Sequence, residues 1–210
     1  MARPREFDET AVLNAAVHCF WSQGYEATSV RDLAQSMGMT GASLYNAFGD
    51  KRSLYRRSLD HYVSMSFGDR VQRFENRLPP LDALKAFFSE IIDRSVSDRE
   101  RKGCMLVNSA LELAPHDAEF RRVVTDVLGE VEAFFRRCVA AGQSSGTIAT
   151  TQSCDDLARL LLSVLLGIRV LARSRPKREL LEGSIRPVFS LLAPERKATS
   201  QRQGAAHPNR

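Results

Sequence analysis

Hydrophobic residues along this chain recur at the three- and four-residue spacing of helices, and no segment alternates apolar and polar residues as a half-buried strand does. The first helical segment carries a clear apolar stripe at Leu13, Ala16, Val17 and Phe20. Asp8 precedes this segment as a favourable N-terminal cap, and Gly24 follows it as a helix stop. The pattern therefore predicts an all-α fold that begins with a core-facing helix.

Two short helical segments and one long segment follow. Thr28 is expected to cap the first short helix and Thr40 the second, with Gly38 in the turn between them. Asp50 is expected to cap a single long helix over residues 51–74. This arrangement gives the N-terminal part of the chain three helices that end before residue 50 and a fourth that leads away from them.

The rest of the chain predicts five further helices, separated by proline, glycine and polar residues. The segment 155–172 is apolar nearly all round, so we expect it to be buried on two sides. Residues 194–210 are polar and are expected to form a disordered tail. The five helices are expected over residues 80–96, 104–113, 118–141, 155–172 and 177–192.

Composition and charge narrow the class of protein. The chain has 210 residues, of which 43% are hydrophobic, which is ordinary for a globular protein. The net charge is +5, but the first 60 residues hold seven basic and seven acidic side chains, whereas residues 171–210 hold nine basic and three acidic ones. The basic balance is therefore weak evidence for nucleic-acid binding, and a DNA-binding surface must be argued from local arrangement.

Several classes of site are not expected from this sequence. No segment is long and apolar enough for a membrane span, and the N-terminus lacks the apolar core of a signal peptide, so we expect a cytoplasmic protein without a membrane partner. The four cysteines form no CxxC pair or zinc-type cluster and are expected to be reduced, without a metal. No glycine-rich phosphate loop or catalytic triad is present, so no cofactor and no catalytic residue is expected.

The two short helices and their turn have the form of a helix-turn-helix over about residues 29–48. A denser pattern of residue types coincides with it: Phe20-(x3)-Gly24-(x3)-Thr28-Ser29-Val30-(x2)-Leu33-Ala34-(x2)-Met37-Gly38-Met39-Thr40-(x2)-Ser43-Leu44-Tyr45-(x2)-Phe48-(x2)-Lys51-(x2)-Leu54. This pattern closely resembles the DNA-binding domain of the TetR family over residues 7–60. Ala42 stands where many members carry glycine, which keeps the position small.

The side chains of this region suit contact with double-stranded DNA. A recognition helix can lie deep in the major groove when its first residues are small, as they are at Thr40, Gly41, Ala42 and Ser43. Phosphate or base edges are within the expected reach of Tyr45 and Asn46. Phosphate contacts at helix N-termini are expected from Thr28, Ser29 and Lys51. A basic arm for the adjacent minor groove is formed by Arg3 and Arg5.

The resemblance also implies that residues 61–193 form a helical domain that binds a small-molecule inducer and makes a homodimer, which matches a palindromic operator. The segments 155–172 and 177–192 carry more apolar surface than one monomer core requires, so we predict a four-helix dimer interface with Leu161, Leu165, Ile185, Val188 and Leu192. The implied function is a repressor that an inducer releases from DNA, with a transcriptional activator as the alternative.

A stretch from Gly103 to Asp117 resembles one branch of the family, in which some regulators respond to electrophiles or oxidants through a cysteine. Cys104 is expected at a helix N-terminus near the cations of Arg99, Arg101 and Lys102, and both features favour the thiolate. We predict a pocket with Cys104 at its mouth and walls drawn from Phe87, Phe88, Asn108, Phe134 and Cys138. A structural thiol and a cysteine-dependent enzyme with His116 as base remain the alternatives.

Overall fold

The computed structural model describes residues 8–194, and this span contains ten α-helices, one π-helical turn and no strand. The predicted all-α fold is confirmed, and none of the helices in this span is long and apolar enough to cross a membrane. Arg3, Arg5 and all of the predicted tail except Pro194 lie outside the described residues. The helices are α1 Glu9–Gln23, α2 Val30–Ser36, α3 Gly41–Phe48, α4 Lys51–Val63, α5 Asp69–Phe74, α6 Pro80–Ser97, α7 Met105–Glu112, α8 Ala118–Ser144, α9 Cys154–Ser174 and α10 Arg178–Leu192.

Side-chain caps determine where several helices begin. Asp8 and Asp117 each accept hydrogen bonds from two backbone N–H groups, at the starts of α1 and α8. Thr40 and Asp50 each accept one such bond, at the starts of α3 and α4. The caps at Asp8, Thr40 and Asp50 were predicted from the sequence and are confirmed, because a short acceptor side chain at a helix start satisfies backbone groups that the helix itself leaves unpaired.

The start of α2 differs from the prediction. Ser29, and not Thr28, is its N-cap, and Ser29 forms a capping box with Asp32. Thr28 is fully buried and donates its hydroxyl to the Gly24 carbonyl at 2.6 Å. The hydroxyl of Thr28 therefore holds the end of α1 instead of capping α2.

The predicted single helix over residues 51–74 is interrupted by a π-helical turn, Ser64–Gly68, which separates α4 from α5. Ser66 donates its hydroxyl to the Tyr62 carbonyl at 2.6 Å, a bond that competes with the regular backbone ladder. A π-helical turn changes the direction in which the following side chains project. It brings Ser66 and Phe67 to the wall of a buried cavity.

Helix α8 ends at Ser144, beyond its predicted end at residue 141. Gly142, just beyond the predicted end, lies inside the helix, and its carbonyl accepts the N–H groups of Thr147 and Ile148 at 2.9 and 3.0 Å. Ile148 is buried over Gly142, where an added Cβ atom would lie 2.4 Å from the Ile148 Cδ1 atom. The chain turns back onto the helix here because Gly142 has no side chain.

Two hydrophobic cores hold the helices together. One lies among α6, α8, α9 and α10 and contains the packed rings of Phe87, Phe88 and Phe135. The other lies among α1–α4 and also includes Met105 of α7 and Phe120 of α8. The N-terminal core therefore extends beyond the division predicted after residue 60, because α7 and the start of α8 pack against the first four helices.

The residues predicted for a dimer interface are buried within the chain's own C-terminal core instead: Leu161, Leu165, Ile185, Val188 and Leu192. This part of the prediction is wrong, because α9 and α10 each have two apolar faces and the spacing does not reveal which face turns towards α6 and α8. The outer faces of the two helices expose a different set of large apolar side chains, namely Leu160, Val170 and Leu191.

Gly142→Ala should lower the free energy of unfolding by about 1–3 kcal/mol, because the added methyl group overpacks the contact with Ile148. Urea denaturation measures the change. Gly129→Ala is the matched control, since Gly129 lies in the same helix with nothing within 4 Å of an added Cβ atom. The control should raise stability by about 0.5–1 kcal/mol. Equal effects of the two substitutions would contradict the packing described for Gly142.

Candidate nucleic-acid interface and thiol cavity

Helix α3 turns one face into the core and presents the other to solvent. Leu44 is buried in the N-terminal core, whereas the predicted contact residues of the helix are exposed: Ala42, Ser43, Tyr45 and Asn46. Tyr45 is 49% exposed, which leaves an aromatic ring with a polar tip available to a partner. The structure therefore brings these four side chains together on one accessible surface with hydroxyl, amide and phenol groups.

The start of α3 is shaped for a close approach to another molecule. The Thr40 hydroxyl oxygen accepts the backbone N–H of Ser43 at 3.1 Å and lies 2.9 Å from the Ser43 hydroxyl. A Cβ atom added at Gly41 would meet nothing within 4 Å, so packing within the described chain does not explain the missing side chain. Small residues at this end leave room for the edge of a groove.

At the start of α2, one predicted contact residue is exposed and another is buried. Ser29 is exposed, and its hydroxyl donates to the Asp32 carboxylate at 2.5 Å, which holds the pKa of Asp32 below its usual value. Thr28 is buried, so its predicted phosphate contact is wrong. Arg31 is exposed in the first turn of α2 and can meet a DNA phosphate. The sequence analysis did not include it, although a basic residue close to an expected helix cap indicates such a contact.

Lys51, at the first position of α4, is held beside the loop that precedes α2. Its ammonium lies 4.4 Å from the centre of the Tyr25 ring and donates to the Glu26 carbonyl at 3.4 Å. An ammonium has three hydrogens, so these contacts leave donors available. Within the described residues Lys51 forms no ion pair, and its charge is therefore free to meet an anion.

A cavity of about 50 Å³ lies between α4, the π-helical turn, α7 and α9. Cys104 and Phe87 line it, as predicted for the pocket. The other predicted wall residues lie outside it and correct that part of the prediction: Phe88, Asn108, Phe134 and Cys138. Phe88, Phe134 and Cys138 pack in the C-terminal core, and Asn108 instead donates to the Lys102 carbonyl at 3.1 Å.

Cys104 occupies the N-cap position of α7 and is partly exposed. The Tyr62 hydroxyl donates to its sulfur at 3.6 Å, and the Arg169 guanidinium also lies beside it. The predicted cations stand elsewhere: Arg99 and Arg101 are exposed, and the Lys102 ammonium pairs with Glu100 at 2.8 Å. The positive charge beside the thiol therefore comes from α9, far away in the sequence.

The other three cysteines differ from Cys104 in their surroundings. Burial raises the pKa of the Cys19 thiol, and burial together with Glu75 raises the pKa of Cys138 to about 12. These two thiols therefore remain protonated and unreactive near neutral pH. Cys154 is partly exposed at the first position of α9. Cys104 is thus the partly exposed thiol that lies against a buried cation.

Helix α7 connects the thiol cavity with the helix-turn-helix. At its C-terminal end, the Glu112 carboxylate accepts the backbone N–H groups of Tyr25 and Glu26 at 3.3 and 2.9 Å, in the loop directly before α2. In its middle, the Ser109 hydroxyl shares a buried hydrogen bond of 2.8 Å with the Tyr55 hydroxyl of α4. A displacement at Cys104 therefore has a direct mechanical route to the loop that positions α2.

Two family models match the chain. The model of bacterial regulatory proteins of the tetR family matches residues 12–57, and the model of the tetracyclin repressor-like C-terminal domain matches residues 80–186. The first match spans most of α1–α4, which contain the exposed face of α3. The second extends from α6 into α10, and it includes α7 and α9, which form part of the wall of the thiol cavity.

Known proteins are similar to this chain along most of its length. The uncharacterised HTH-type transcriptional regulator YezE of Bacillus subtilis (strain 168) is 28% identical over 91% of this chain and 100% of its own length. The HTH-type transcriptional repressor ComR of Escherichia coli (strain K12) is 28% identical over 81% of this chain and 82% of its own. A cysteine mutant of the TetR family regulator CifR, solved with a 26-base-pair operator DNA, has a TM-score of 0.79 and 30% identity over 90% of this chain and 98% of its own.

Proposed function

Because the chain belongs to the TetR family of bacterial regulatory proteins, we propose that it is a dimeric repressor whose palindromic operator is released when an effector acts at Cys104 and its cavity. The observation that carries the DNA-binding part is the exposed face of α3, where three small or polar side chains and Tyr45 have no role in the core. The solved complex of CifR with operator DNA, a protein similar to this chain, supports the proposal that the N-terminal helices bind DNA.

The contacts with DNA divide into two kinds by their chemistry. Ser43 and Asn46 carry donors and acceptors that can read base edges in the major groove. Lys51 and Arg31 carry charges that meet phosphates and fix the position of α3 without reading sequence. Tyr45, which is large and half-exposed, suits a sugar–phosphate contact at the edge of the groove. Substitution of the two kinds of residue should therefore give different results.

Selection from random duplexes should enrich a palindrome with two half-sites on one face of the helix. Lys51→Ala should weaken binding to every sequence and lower the slope of log affinity against log salt by about one, because one phosphate contact is lost. Ser43→Ala should instead change the preferred base at one position in each half-site. Gel shifts over a range of salt concentrations measure both effects.

Lys85→Ala serves as the control for the loss of a positive charge, since Lys85 is exposed on α6, outside the helix-turn-helix. Its salt slope should equal that of the unmodified protein. Recovery of no enriched palindrome from the selection would overturn the proposal that α3 reads a two-fold symmetric operator.

The outer faces of α9 and α10 supply a surface for the second copy. Gly167 and Gly183 lie inside these helices, and a Cβ atom at either position would meet nothing within 4 Å. An interior glycine costs a helix about 1 kcal/mol relative to alanine, so its use points to a close approach by another helix. Val164 and Leu171 lie on the same side of α9 as Gly167, since they are three and four residues away. The four helices of two copies would bury this apolar face.

Gly167→Arg should convert the dimer to a monomer, because a long charged side chain separates the two helices at their closest approach. Light scattering at micromolar concentration measures the mass, and gel shift measures the accompanying loss of operator affinity. Gly129→Arg, on the exposed side of α8, should leave the mass unchanged. A monomeric mass for the unmodified protein would refute the proposed assembly.

The effector part of the proposal rests on Cys104 and on α7. A thiolate adds to an activated alkene such as N-ethylmaleimide: an S–C bond forms, the C=C π bond breaks, and a proton from water ends on the neighbouring carbon. The cavity of about 50 Å³ is too small for the added group, so the start of α7 must move. The contacts of Glu112 with the loop before α2 then change, and the two recognition helices lose the spacing that the operator requires.

Cys104→Ser should retain operator affinity but lose its release by N-ethylmaleimide. A hundredfold change in occupancy requires a coupling free energy of about 2.7 kcal/mol, which is within the usual range for allosteric proteins. Cys154→Ser is the matched control, since Cys154 is the other partly exposed thiol, and it should be released like the unmodified protein. If Cys104→Ser is released as readily as the control, the Cys104 thiol is structural. Fluorescence anisotropy of labelled operator follows the release.

A further inference from the structure

Arg169 is a buried cation without a carboxylate partner. The residue is 9% exposed, and its neighbours include the Ser95 hydroxyl at 3.4 Å, the Tyr62 phenol and the Cys104 thiol. Within residues 8–194 no carboxylate comes within ion-pairing distance of its guanidinium, and Asp98 acts on it only from farther away. A buried charge is normally paired, because water no longer stabilises it.

The surroundings of Arg169 add further positive charge. Arg70 is 2% exposed and shares the Glu90 carboxylate with Arg94, at 3.1 and 2.9 Å. The same carboxylate also pairs with Arg73 at 2.5 Å, and Arg73 pairs in addition with Asp69 at 2.8 Å, so two carboxylates face three guanidinium groups. Burial and the neighbouring Arg169 lower the pKa of Arg70 to about 10. This part of the protein therefore has an excess of positive charge beneath its surface.

A cleft of about 330 Å³ between α1, α6 and α9 opens onto these cations. Four basic residues line it, Arg70, Arg94, Lys102 and Arg169, against the single carboxylate of Asp98. That carboxylate already accepts the backbone N–H groups of Glu100 and Lys102, at 3.2 and 2.7 Å. The Lys102 ammonium pairs with Asp98 at 3.7 Å and with Glu100 at 2.8 Å, so Arg169 is the cation of the cleft that has no carboxylate partner in the described part of the chain.

Trp21 of α1 also lines the cleft, and its indole N–H is buried without a hydrogen-bond partner in the described part of the chain. Its ring packs edge to face on the Tyr62 ring, with centres 5.0 Å apart, and Lys102 lies over it. An unpaired buried donor costs free energy comparable to a lost hydrogen bond, unless a ligand satisfies it. The cleft thus combines an unused neutral donor, an unpaired guanidinium and two aromatic rings.

We propose that this cleft binds a small organic carboxylate with an apolar body, its carboxylate held by Arg169, Lys102 and the indole N–H of Trp21. A planar guanidinium pairs with a carboxylate through two parallel hydrogen bonds. The rings of Trp21 and Tyr62 and the methyl group of Ala172 offer apolar contact to the rest of the molecule. The volume lies within the range of small-ligand sites. The proposed contacts do not include Cys104, so binding of the carboxylate does not require that residue.

An inorganic anion fits these observations less well. Phosphate pairs with arginine equally well, but it has no apolar body to lie against the aromatic rings. The rings of Trp21 and Tyr62 would then have no apolar group to contact. The ligand test therefore compares cyclohexanecarboxylate with its neutral isostere, cyclohexanecarboxamide, and with inorganic phosphate.

Trp21 is the one tryptophan of the chain, so its fluorescence reports on the cleft directly. Titration of the full-length protein with cyclohexanecarboxylate at low salt should give a saturable change in emission. The carboxamide and phosphate should each bind at least about tenfold more weakly, because the first lacks the charge and the second the apolar contact. Equal binding of phosphate, or no saturable change with the carboxylate up to about 10 mM, would overturn the proposal.

Variants locate the site without relying on one buried residue. Lys102→Gln should weaken carboxylate binding about tenfold, and Arg169→Gln should abolish it. Lys85→Gln is the control for a lost charge outside the cleft and should bind normally. Cys104→Ser should also bind normally, which separates this site from thiol sensing. Because the readout needs no DNA, a failure of operator binding leaves this test intact. Unchanged affinity in Lys102→Gln would place the ligand elsewhere.

Discussion

The position of α7 between the two halves of the molecule is the constraint on which the rest of the structure depends. The helix has eight residues, and its buried apolar side chains, Met105 and Leu106, belong to the N-terminal core, while Cys104 at its N-cap position lines a cavity bounded by α9. Its far end holds the loop before α2 through Glu112. Cores are close-packed, so a shift at one end of so short a helix is not absorbed locally and must reach the other end.

The free energies of the contacts made by α7 are consistent with coupling between Cys104 and the loop before α2. The contacts between α7 and the N-terminal helices include one buried hydroxyl–hydroxyl bond, from Ser109 to Tyr55, and two backbone bonds to the Glu112 carboxylate. Each is worth about 0.5–3 kcal/mol, the larger values applying to the charged acceptor. Loss or distortion of one or two of them is therefore enough for a coupling of 1–3 kcal/mol, and the cores themselves need not unfold.

Local features were predictable from the sequence, and distant ones were not. Asp8, Thr40 and Asp50 cap helices as expected, because capping depends on a side chain and the backbone two or three residues away. The exposed face of α3 followed from spacing for the same reason. The orientation of α9 and α10 depends on which apolar face meets α6 and α8, and helical periodicity does not contain this information. The partnership of Cys104 with Arg169 likewise joins residues far apart in the chain.

The thiol cavity and the basic cleft are not independent of each other, because Tyr62 and Arg169 line both. A carboxylate held by Arg169 in the cleft would lie next to the sulfur of Cys104, because the same guanidinium lies beside that sulfur. A bound carboxylate would therefore hinder the approach of an alkylating reagent to Cys104. A group added to the sulfur would in turn hinder the carboxylate, so the two events oppose each other through one side chain, the guanidinium of Arg169.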